Sequence, residues 1–314
     1  MNTLSDLVSY ITKPSRAVLT THRNPDPDSV ASNCALAHLL RELGHTVDIY
    51  SRDPIGGLEW ISGAEEIKHL PEGDIDWGLY DYFWALDQGD SRRHGCGEPT
   101  IPIVNIDHHA SNPMWGEVNV VQSDIASTCS IILNVYEEMH ILPSSKIATT
   151  LLAGLAGDTG FFEYVHKAST FKDARKLMEL GADFQYVRLQ MRQQIDPRDV
   201  EFIAHALSEL YVDTQLRVAI LYVDEKLWHS YGVSELKTEY LLQYMQSIQG
   251  TDFGILFIES IPDVIRISLR ARTAGYDVSR IALQLGGGGH VSASGARLPR
   301  MPREEAIAKV LACF

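Results

Sequence analysis

The sequence contains few cysteines and no cysteine pair of the kind that holds zinc or forms a disulfide framework. The four cysteines of the 314-residue chain are far apart, and no two of them form a Cys-x-x-Cys pair. Such pairs are typical of zinc knuckles and of small disulfide-linked domains. We therefore expect neither kind of site, and a reducing, cytoplasmic location is the default expectation.

Long apolar runs are also missing. No stretch reaches the roughly eighteen uninterrupted apolar residues of a membrane span. Residues 1–13 lack the basic segment and apolar run of a signal peptide, so we expect no membrane contact. A chain of this length favours two domains, because a single core rarely grows past about 250–300 residues.

Positive charge is scarce outside the C-terminal region. The net charge is −14 with histidine neutral, which disfavours long duplex nucleic acid as a partner because phosphate repulsion must be overcome. Residues 261–314 nevertheless carry eight Lys or Arg against four acids, a net +4, which leaves −18 for the first 260 residues. Such a chain is suited to hold cations in one part and phosphates in the other, although a solvated charged surface is the simpler explanation.

The first half of the chain alternates short apolar strands with helical patterns. Strands are predicted at 17–21, 47–50, 80–86 and 101–106. Helices are predicted at 29–43, 127–139, 147–156 and 170–180. This alternation predicts an α/β fold with a mainly parallel sheet and helices on both faces.

The pattern changes after about residue 183 and indicates a smaller, mixed α/β domain. Its predicted strands are 218–223, 253–259 and 264–270, and its predicted helices are 200–210, 278–285 and 303–311. The Gln- and Arg-rich stretch 186–198, which contains Pro197, is predicted to link domains 1–185 and 199–314.

Acidic and histidine side chains follow three predicted strands and one helix. They are His22, Asp26 and Asp28, then Asp87, then Asp107-His108-His109, and finally Asp158. A single Asp after a strand is usually a turn residue or a helix cap. The carboxyl ends of parallel strands, however, meet at one edge of a sheet, so we expect the first three groups to converge there, with Asp158 within reach.

Converging carboxylates repel one another and need cations. A mixture of carboxylate and imidazole ligands suits Mn²⁺, Mg²⁺ or Fe²⁺ better than a thiolate-rich zinc site does. Two such ions about 3.5–4 Å apart, bridged by one carboxylate, would activate a water and neutralise a phosphoryl group. The residues thus point to metal-assisted cleavage of a phosphate ester.

The four groups, in this order and spacing, resemble the signature motifs of the DHH phosphoesterase superfamily. The segments 267–270, 286–290 and 293–295 resemble a DHHA1 substrate-binding domain. The resemblance covers nearly the whole chain and is greatest to the branch with nanoRNase and 3′-phosphoadenosine 5′-phosphate phosphatase activities. It implies a hydrolase whose substrate is a short single-stranded oligonucleotide or a nucleotide.

The resemblance also implies a role for each matching residue. Two Mn²⁺ ions are implied, with Mg²⁺ or another divalent ion as the alternative. The ligands implied for one ion are His22, Asp26 and Asp87. Those for the second ion are Asp28, Asp87, His108 and Asp158, so that Asp87 bridges the two.

Catalytic and substrate-binding residues follow from the same resemblance. His109 would face the scissile phosphate, and Asp107 would orient a neighbouring histidine. The residues implied to bind the far phosphate are Arg270, Arg272, Gly287, Gly288, Gly289 and His290. Without the resemblance, a flexible loop is the favoured interpretation of the glycine run.

Other functions stay open. Pro27, Ser29 and Gly157 depart from the family pattern, and Asp-Pro-Asp-Ser is closer to family II inorganic pyrophosphatases. The chain lacks the Ser-Arg-Lys-Lys-type motif of those enzymes, and its Gly-Gly-Gly-His stretch favours the DHHA1 type. The alternatives are a cyclic-dinucleotide phosphodiesterase, a pyrophosphatase or exopolyphosphatase, and a non-catalytic nucleotide-binding module. The oligomeric state is also open, with a homodimer as one alternative.

Overall fold

The computed structural model divides the chain into two compact units, Met1–Gln194 and Ile195–Phe314. The structure describes residues 2–163, 165, 167–192, 196–233, 240–260, 263–272, 276–289 and 291–314. Within these ranges, no helix is long and apolar enough to span a membrane.

The first unit contains six strands, six α-helices and two short 3-10 helices, Ala64–Glu66 and Trp77–Leu79, among its described residues. The strands are β1 (Arg16–Thr20), β2 (Thr46–Ser51), β3 (Ile67–His69), β4 (Tyr82–Leu86), β5 (Ile103–Asp107) and β6 (Val118–Val121). The helices are α1 (Leu4–Ile11), α2 (Pro27–Glu42), α3 (Thr128–Glu138), α4 (Ser145–Asp158), α5 (Ala168–Glu179) and α6 (Phe184–Arg192).

All six strands of the first unit run parallel in the order β3-β2-β1-β4-β5-β6. The predicted parallel α/β fold is therefore confirmed. The strand order reverses direction between β1 and β4, and ligands of doubly wound sheets bind outside the carboxyl ends of the strands at such a point.

The two faces of this sheet are covered differently. Side chains of all six helices join one apolar core with Leu19 of β1 and Trp84 of β4. The opposite face, which includes Val18 and Phe83, packs against residues of the connecting segments such as Trp77. This second face thus carries the short 3-10 helix Trp77–Leu79 and loops, whereas the α-helices of this unit pack on the first face. The β4–β5 connection contains Gly89, Gly95, Gly97, Pro99 and Pro102, and such residues interrupt helices.

The second unit contains a mixed six-stranded sheet. Its strands are β7 (Tyr211–Asp213), β8 (Val218–Val223), β9 (Phe253–Ser260), β10 (Val264–Ala271), β11 (Gly288–Gly289) and β12 (Ala293–Pro299), in the order β11-β12-β10-β9-β8-β7. Its helices in the described ranges are α7 (Pro197–Ser208), α8 (Glu225–Ser230), α9 (Tyr240–Gln246), α10 (Ser279–Gln284) and α11 (Arg303–Leu311). Only β8 and β9 pair in parallel among these strands. The predicted mixed α/β C-terminal domain is thus confirmed as a fold.

The stretch predicted as a linker contains regular structure. Residues 186–192 lie in α6, and Val187 is fully buried in the core of the first unit. Pro197 begins α7, whose Phe202 is buried in the second unit. On this packing we assign residues 186–192 to the first unit, and the domain limits stay a proposal.

Candidate metal centre

Three of the four predicted groups lie where central strands end. His22 stands two residues after β1, Asp87 directly follows β4, and Asp107 is the last residue of β5. These three strands are neighbours in the sheet. Asp87 has a positive φ of 59°, a conformation that few non-glycine residues adopt and that occurs often at functional sites.

The turn after β1 fixes both His22 and Asp26. Asp26 is the N-cap of α2, and its Oδ1 accepts a hydrogen bond of 2.9 Å from the Ser29 amide. Pro27 occupies the first helical position and favours the extended backbone seen at Asp26. His22 Nδ1 lies 2.9 Å from the Arg23 carbonyl oxygen. Because a carbonyl only accepts, Nδ1 carries the proton, and Nε2 is left to act as a ligand.

The first donor group comprises His22, Asp26 and Asp87. Their donor atoms all lie within 4.8 Å of one another. His22 Nε2 is 3.3 Å from Asp26 Oδ2 and 3.4 Å from Asp87 Oδ2. His22 and Asp87 are buried, whereas Asp26 is partly exposed. This group can hold one cation with an open side toward solvent.

The second donor group comprises Asp28, Asp87, His108 and Asp158, again within 4.8 Å. His108 Nε2 lies 3.0 Å from Asp158 Oδ2 and 3.5 Å from Asp87 Oδ1. This buried nitrogen makes no well-aligned hydrogen bond in the described part of the chain. Carboxylate oxygens thus surround an imidazole nitrogen that lacks a well-aligned hydrogen bond among the described residues, and a divalent cation bound by all of these atoms would give each of them a partner.

The amino end of α3 holds the second group in place. The amides of Thr128 and Cys129 donate to the two carboxylate oxygens of Asp28 at 2.7 and 2.9 Å. The Thr128 hydroxyl donates to Asp87 Oδ1 at 3.1 Å. The free amides of a helix N-terminus stabilise a carboxylate in this position. Asp28 and Asp87 therefore have fixed orientations that do not depend on the other ligands.

Burial and mutual repulsion make the carboxylates of this cluster hard to ionise together. The pKa of Asp28 is raised well above its usual value by burial and by the charges of Asp158 and Asp87. Burial also raises the pKa of Asp87. Burial alone would lower the pKa of His22, but the hydrogen bonds and charges of Asp26 and Asp87 raise it to about 10.

His108 shows the same balance. Burial would lower its pKa, but the nearby Asp158, Asp28 and Asp87 raise it to about 10. Protonated imidazoles would therefore offset part of the negative charge of the cluster. Divalent cations would replace these protons, because they favour the ionised carboxylates and the neutral imidazoles that bind metal.

His109 points to a separate role. Its Nδ1 is 2.7 Å from Asp107 Oδ1, and its side chain is 35% exposed. The hydrogen bond to Asp107 raises the pKa of His109 more than burial lowers it. His109 can also join Asp87 and His108 in a third donor group. The contact with Asp107 leaves Nε2 available for another partner.

Asp107 is itself held by a network that the sequence analysis missed. Asn112 Nδ2 donates to Asp107 Oδ2 at 2.6 Å, and the His108 amide donates to Oδ1 at 2.8 Å. Asn112 also contacts Asn105 Oδ1 at 2.8 Å. The His109 and Asn112 contacts lower the pKa of Asp107 although burial would raise it. The only indication of this role in the sequence is that Asn112 stands three residues after His109.

Glycines in α4 allow close packing around the cluster. A Cβ at Gly154 would lie against Cys129 Sγ and 2.7 Å from Asp28 Oδ1. A Cβ at Gly157 would lie 2.8 Å from Pro27 Cβ. Pro27 and Gly157, two departures from the family pattern, therefore fit each other: the bulkier first-motif residue needs the residue without a side chain.

The predicted substrate-binding residues lie in the second unit, away from the metal-ligand cluster in sequence. Gly287 approaches β12 so closely that a Cβ would lie 2.7 Å from Ala296 Cα. Gly288 and Gly289 form β11 and pair with β12, so this part of the glycine run is a short strand. Arg270 lies on β10 opposite Ala293. His290 lies outside the described residues.

The cavity beside this glycine run contains arginines that the sequence analysis did not select. It has a volume of about 380 Å³ and is lined in part by Arg266, Ser268, Gly287 and Arg297. Arg266 and Arg297 stand opposite each other on β10 and β12. Arg272, by contrast, follows β10, and its Nη1 donates to the Thr251 carbonyl oxygen at 3.2 Å.

Known proteins share both sequence and fold with this chain. A bifunctional oligoribonuclease and PAP phosphatase NrnA from Thermus thermophilus is 28% identical over 303 residues, which cover 93% of this chain and 87% of the relative. The NrnA of Bacillus subtilis is 23% identical, covering 94% of this chain and 93% of that protein. An exopolyphosphatase-related protein from Bacteroides fragilis shares the fold with a TM-score of 0.88 at 20% identity, covering 98% of this chain and 94% of that one.

Family models match both units. The model of the DHH family N-terminal domain matches residues 16–155, which contain five of the six predicted metal ligands. The DHHA1 domain model matches residues 215–314, which contain the glycine run and its arginines. The chain therefore belongs to the DHH family, as a member that combines the DHH domain with a DHHA1 domain.

Proposed function

We propose that this protein is a manganese-dependent phosphoesterase that hydrolyses short oligonucleotides, nucleoside 3′,5′-bisphosphates, or both. The observation that carries the proposal is the pair of donor groups that share Asp87. The second support is the similarity to NrnA proteins, which are named as bifunctional oligoribonucleases and PAP phosphatases.

The donor set fits divalent cations bound by oxygen and imidazole nitrogen. His22 presents Nε2, because its Nδ1 hydrogen is directed to a carbonyl oxygen. His22, Asp26 and Asp87 would hold one ion; Asp28, Asp87, His108 and Asp158 would hold the other. Two ions held by these residues would lower the pKa of a water nucleophile and neutralise phosphoryl charge.

His109 would donate a proton to the substrate, and Asp107 would orient His109. Asp107 accepts the Nδ1 hydrogen of His109, which fixes the ring and directs Nε2 toward the substrate. A protonated Nε2 donates to a phosphoryl or leaving oxygen. Arg270, Arg272 and the glycine run, Gly287, Gly288 and Gly289, would bind the far phosphate.

The alternatives to this proposal are enzymes that act on another phosphate substrate and a protein that binds nucleotides without catalysis. Pyrophosphate, polyphosphate or a cyclic dinucleotide would use the same donor groups. A non-catalytic nucleotide-binding module would be expected to have lost a ligand, yet all six proposed ligands are present and grouped.

A substrate panel tests the proposal. Purified protein with Mn²⁺ is incubated with labelled dinucleotide, longer RNA, nucleoside 3′,5′-bisphosphate, cyclic dinucleotide and pyrophosphate. We expect turnover of the dinucleotide or the bisphosphate, loss of turnover in chelator, and recovery that is best with Mn²⁺. Turnover of pyrophosphate or cyclic dinucleotide alone would favour an alternative, and full activity in chelator would refute the metal requirement.

A further inference from the structure

A cavity of about 350 Å³ opens beside Asp158. Its walls come from the segment between β6 and α3 and from the segment leading into α5. Because β6 is parallel to β5, its carboxyl end lies at the same sheet edge as the metal-ligand cluster. The cavity thus shares Asp158 with the second donor group.

The lining combines the chemistry that a nucleotide needs. Ile125, Ala126 and Val165 provide apolar surface, and Thr170 provides a hydroxyl. Ligand pockets range from about 300 to 1,000 Å³ and combine apolar walls with a few polar groups. At 350 Å³ this cavity is at the small end of that range, which suits a single nucleotide unit and not a chain of several.

Lys167 supplies a positive charge to this otherwise acidic region. Its Nζ donates to the Asp124 carbonyl oxygen at 3.1 Å, and both residues line the cavity. A carbonyl anchor positions the ammonium without neutralising its charge. Lys167 is also the N-cap of α5, so the positive end of that helix lies on the same side. An ammonium can form charge-assisted hydrogen bonds to phosphate.

We propose that this cavity binds the nucleoside whose phosphate is cleaved, with Lys167 as a substrate-binding residue that contacts the phosphate. The inference rests on the proposed function for the identity of the substrate. It adds a position for the base and sugar in the first unit, and it assigns a phosphate contact to a residue outside the signature motifs. The base would lie against Ile125 and Ala126.

Equilibrium binding, measured by calorimetry on the full chain, tests the assignment without requiring turnover. The probes are adenosine 5′-monophosphate and inorganic phosphate, each titrated with and without Mn²⁺. Lys167→Ala should raise the Kd for both probes by roughly tenfold, and Lys167→Arg should restore part of the loss. Lys172→Ala removes an exposed charge from the same helix and should leave both affinities unchanged.

A second variant separates the base pocket from the phosphate contact. Ala126→Leu should fill part of the cavity and weaken adenosine 5′-monophosphate while leaving inorganic phosphate unaffected. Circular dichroism and Mn²⁺ content identify a variant that has failed to fold, and Ile125→Ala then tests the same wall by removing contact area.

The outcomes distinguish this inference from the proposed function. If the wild type does not bind the nucleotide, or if neither Lys167→Ala nor the wall variants change its affinity, the cavity assignment is wrong. If the wild type binds the nucleotide through this cavity but hydrolyses no phosphate ester with Mn²⁺, the cavity assignment stands and the proposed function is wrong.

Discussion

Asp107→Asn gives the sharpest test of the proposed proton chemistry. Asp107 Oδ1 accepts from His109 Nδ1 at 2.7 Å and from the His108 amide at 2.8 Å, while Oδ2 accepts from Asn112 at 2.6 Å. An asparagine cannot accept at both positions. Either its amide nitrogen faces the donor of Asn112, or it faces His109 Nδ1 and removes the acceptor that fixes this ring.

The magnitude follows from the loss of one charge-assisted hydrogen bond. Such a bond contributes about 1.5–3 kcal/mol, which corresponds to roughly a 10–150-fold decrease in kcat/KM. The pH dependence should move as well. Asp107 raises the pKa of His109, so His109 keeps its proton to higher pH in the wild type. Activity that needs this proton is lost as pH rises, and in Asp107→Asn it should be lost at lower pH.

The assay is the pH profile of kcat/KM on a dinucleotide, with metal content measured in parallel. Asp90→Asn is the control, because it removes a carboxylate near the same sheet edge that belongs to none of the donor groups. Its profile should match the wild type. Two results would show that Asp107 does not act through the proton of His109. In the first, Asp107→Asn lowers kcat/KM but does not change the high-pH side of the pH profile. In the second, Asp107→Asn loses its metal together with its activity.

Three further substitutions probe the cluster and the second unit. Asp87→Ala should abolish both metal binding and activity, because Asp87 belongs to every donor group found in the described residues; retention of metal or activity would contradict its bridging role. Gly154→Ala should cost about 1–3 kcal/mol of stability by overpacking and weaken metal binding, since its Cβ would meet Cys129 and Asp28. The double variant Gly154→Ala/Cys129→Ala should recover part of the lost Tm. An unchanged Tm in Gly154→Ala alone would refute this packing. Arg270→Ala should lower kcat/KM on a dinucleotide by roughly 10–150-fold with metal content unchanged and affect a small nitrophenyl phosphate ester much less; equal losses on both would show that Arg270 supports the fold instead.

Much of the local structure could be predicted from the sequence. The strand at 218–223 and the helix at 303–311 have the predicted bounds, and β4 and β5 begin two residues later than predicted. These elements could be predicted because each has a strong apolar pattern, and such a pattern can be recognised from residues that are close together in the sequence. The strand Ala293–Pro299 was missed, because its Ser, Gly and Pro are typical of turns and loops and only pairing with β10 makes it a strand.

The candidate ligands were likewise visible as polar residues placed directly after apolar strands. Their roles in metal binding stay predictions, but their grouping around Asp87 is a feature of the structure. The supports of the cluster were not visible. Thr128 is 100 residues from Asp28 in sequence, and Gly154 is one glycine among 23.

The sequence by itself determined the strands and helices that have strong apolar patterns, and the polar residues that stand at their ends, because burial periodicity and turn chemistry act over a few residues. Only the tertiary structure decided that β1 and β4 are neighbours at the reversal of strand order. It also decided that the amino end of α3 meets Asp28 and that Gly157 packs on Pro27. These contacts join segments distant in the chain, so they depend on how helices and strands pack together, which no local pattern encodes.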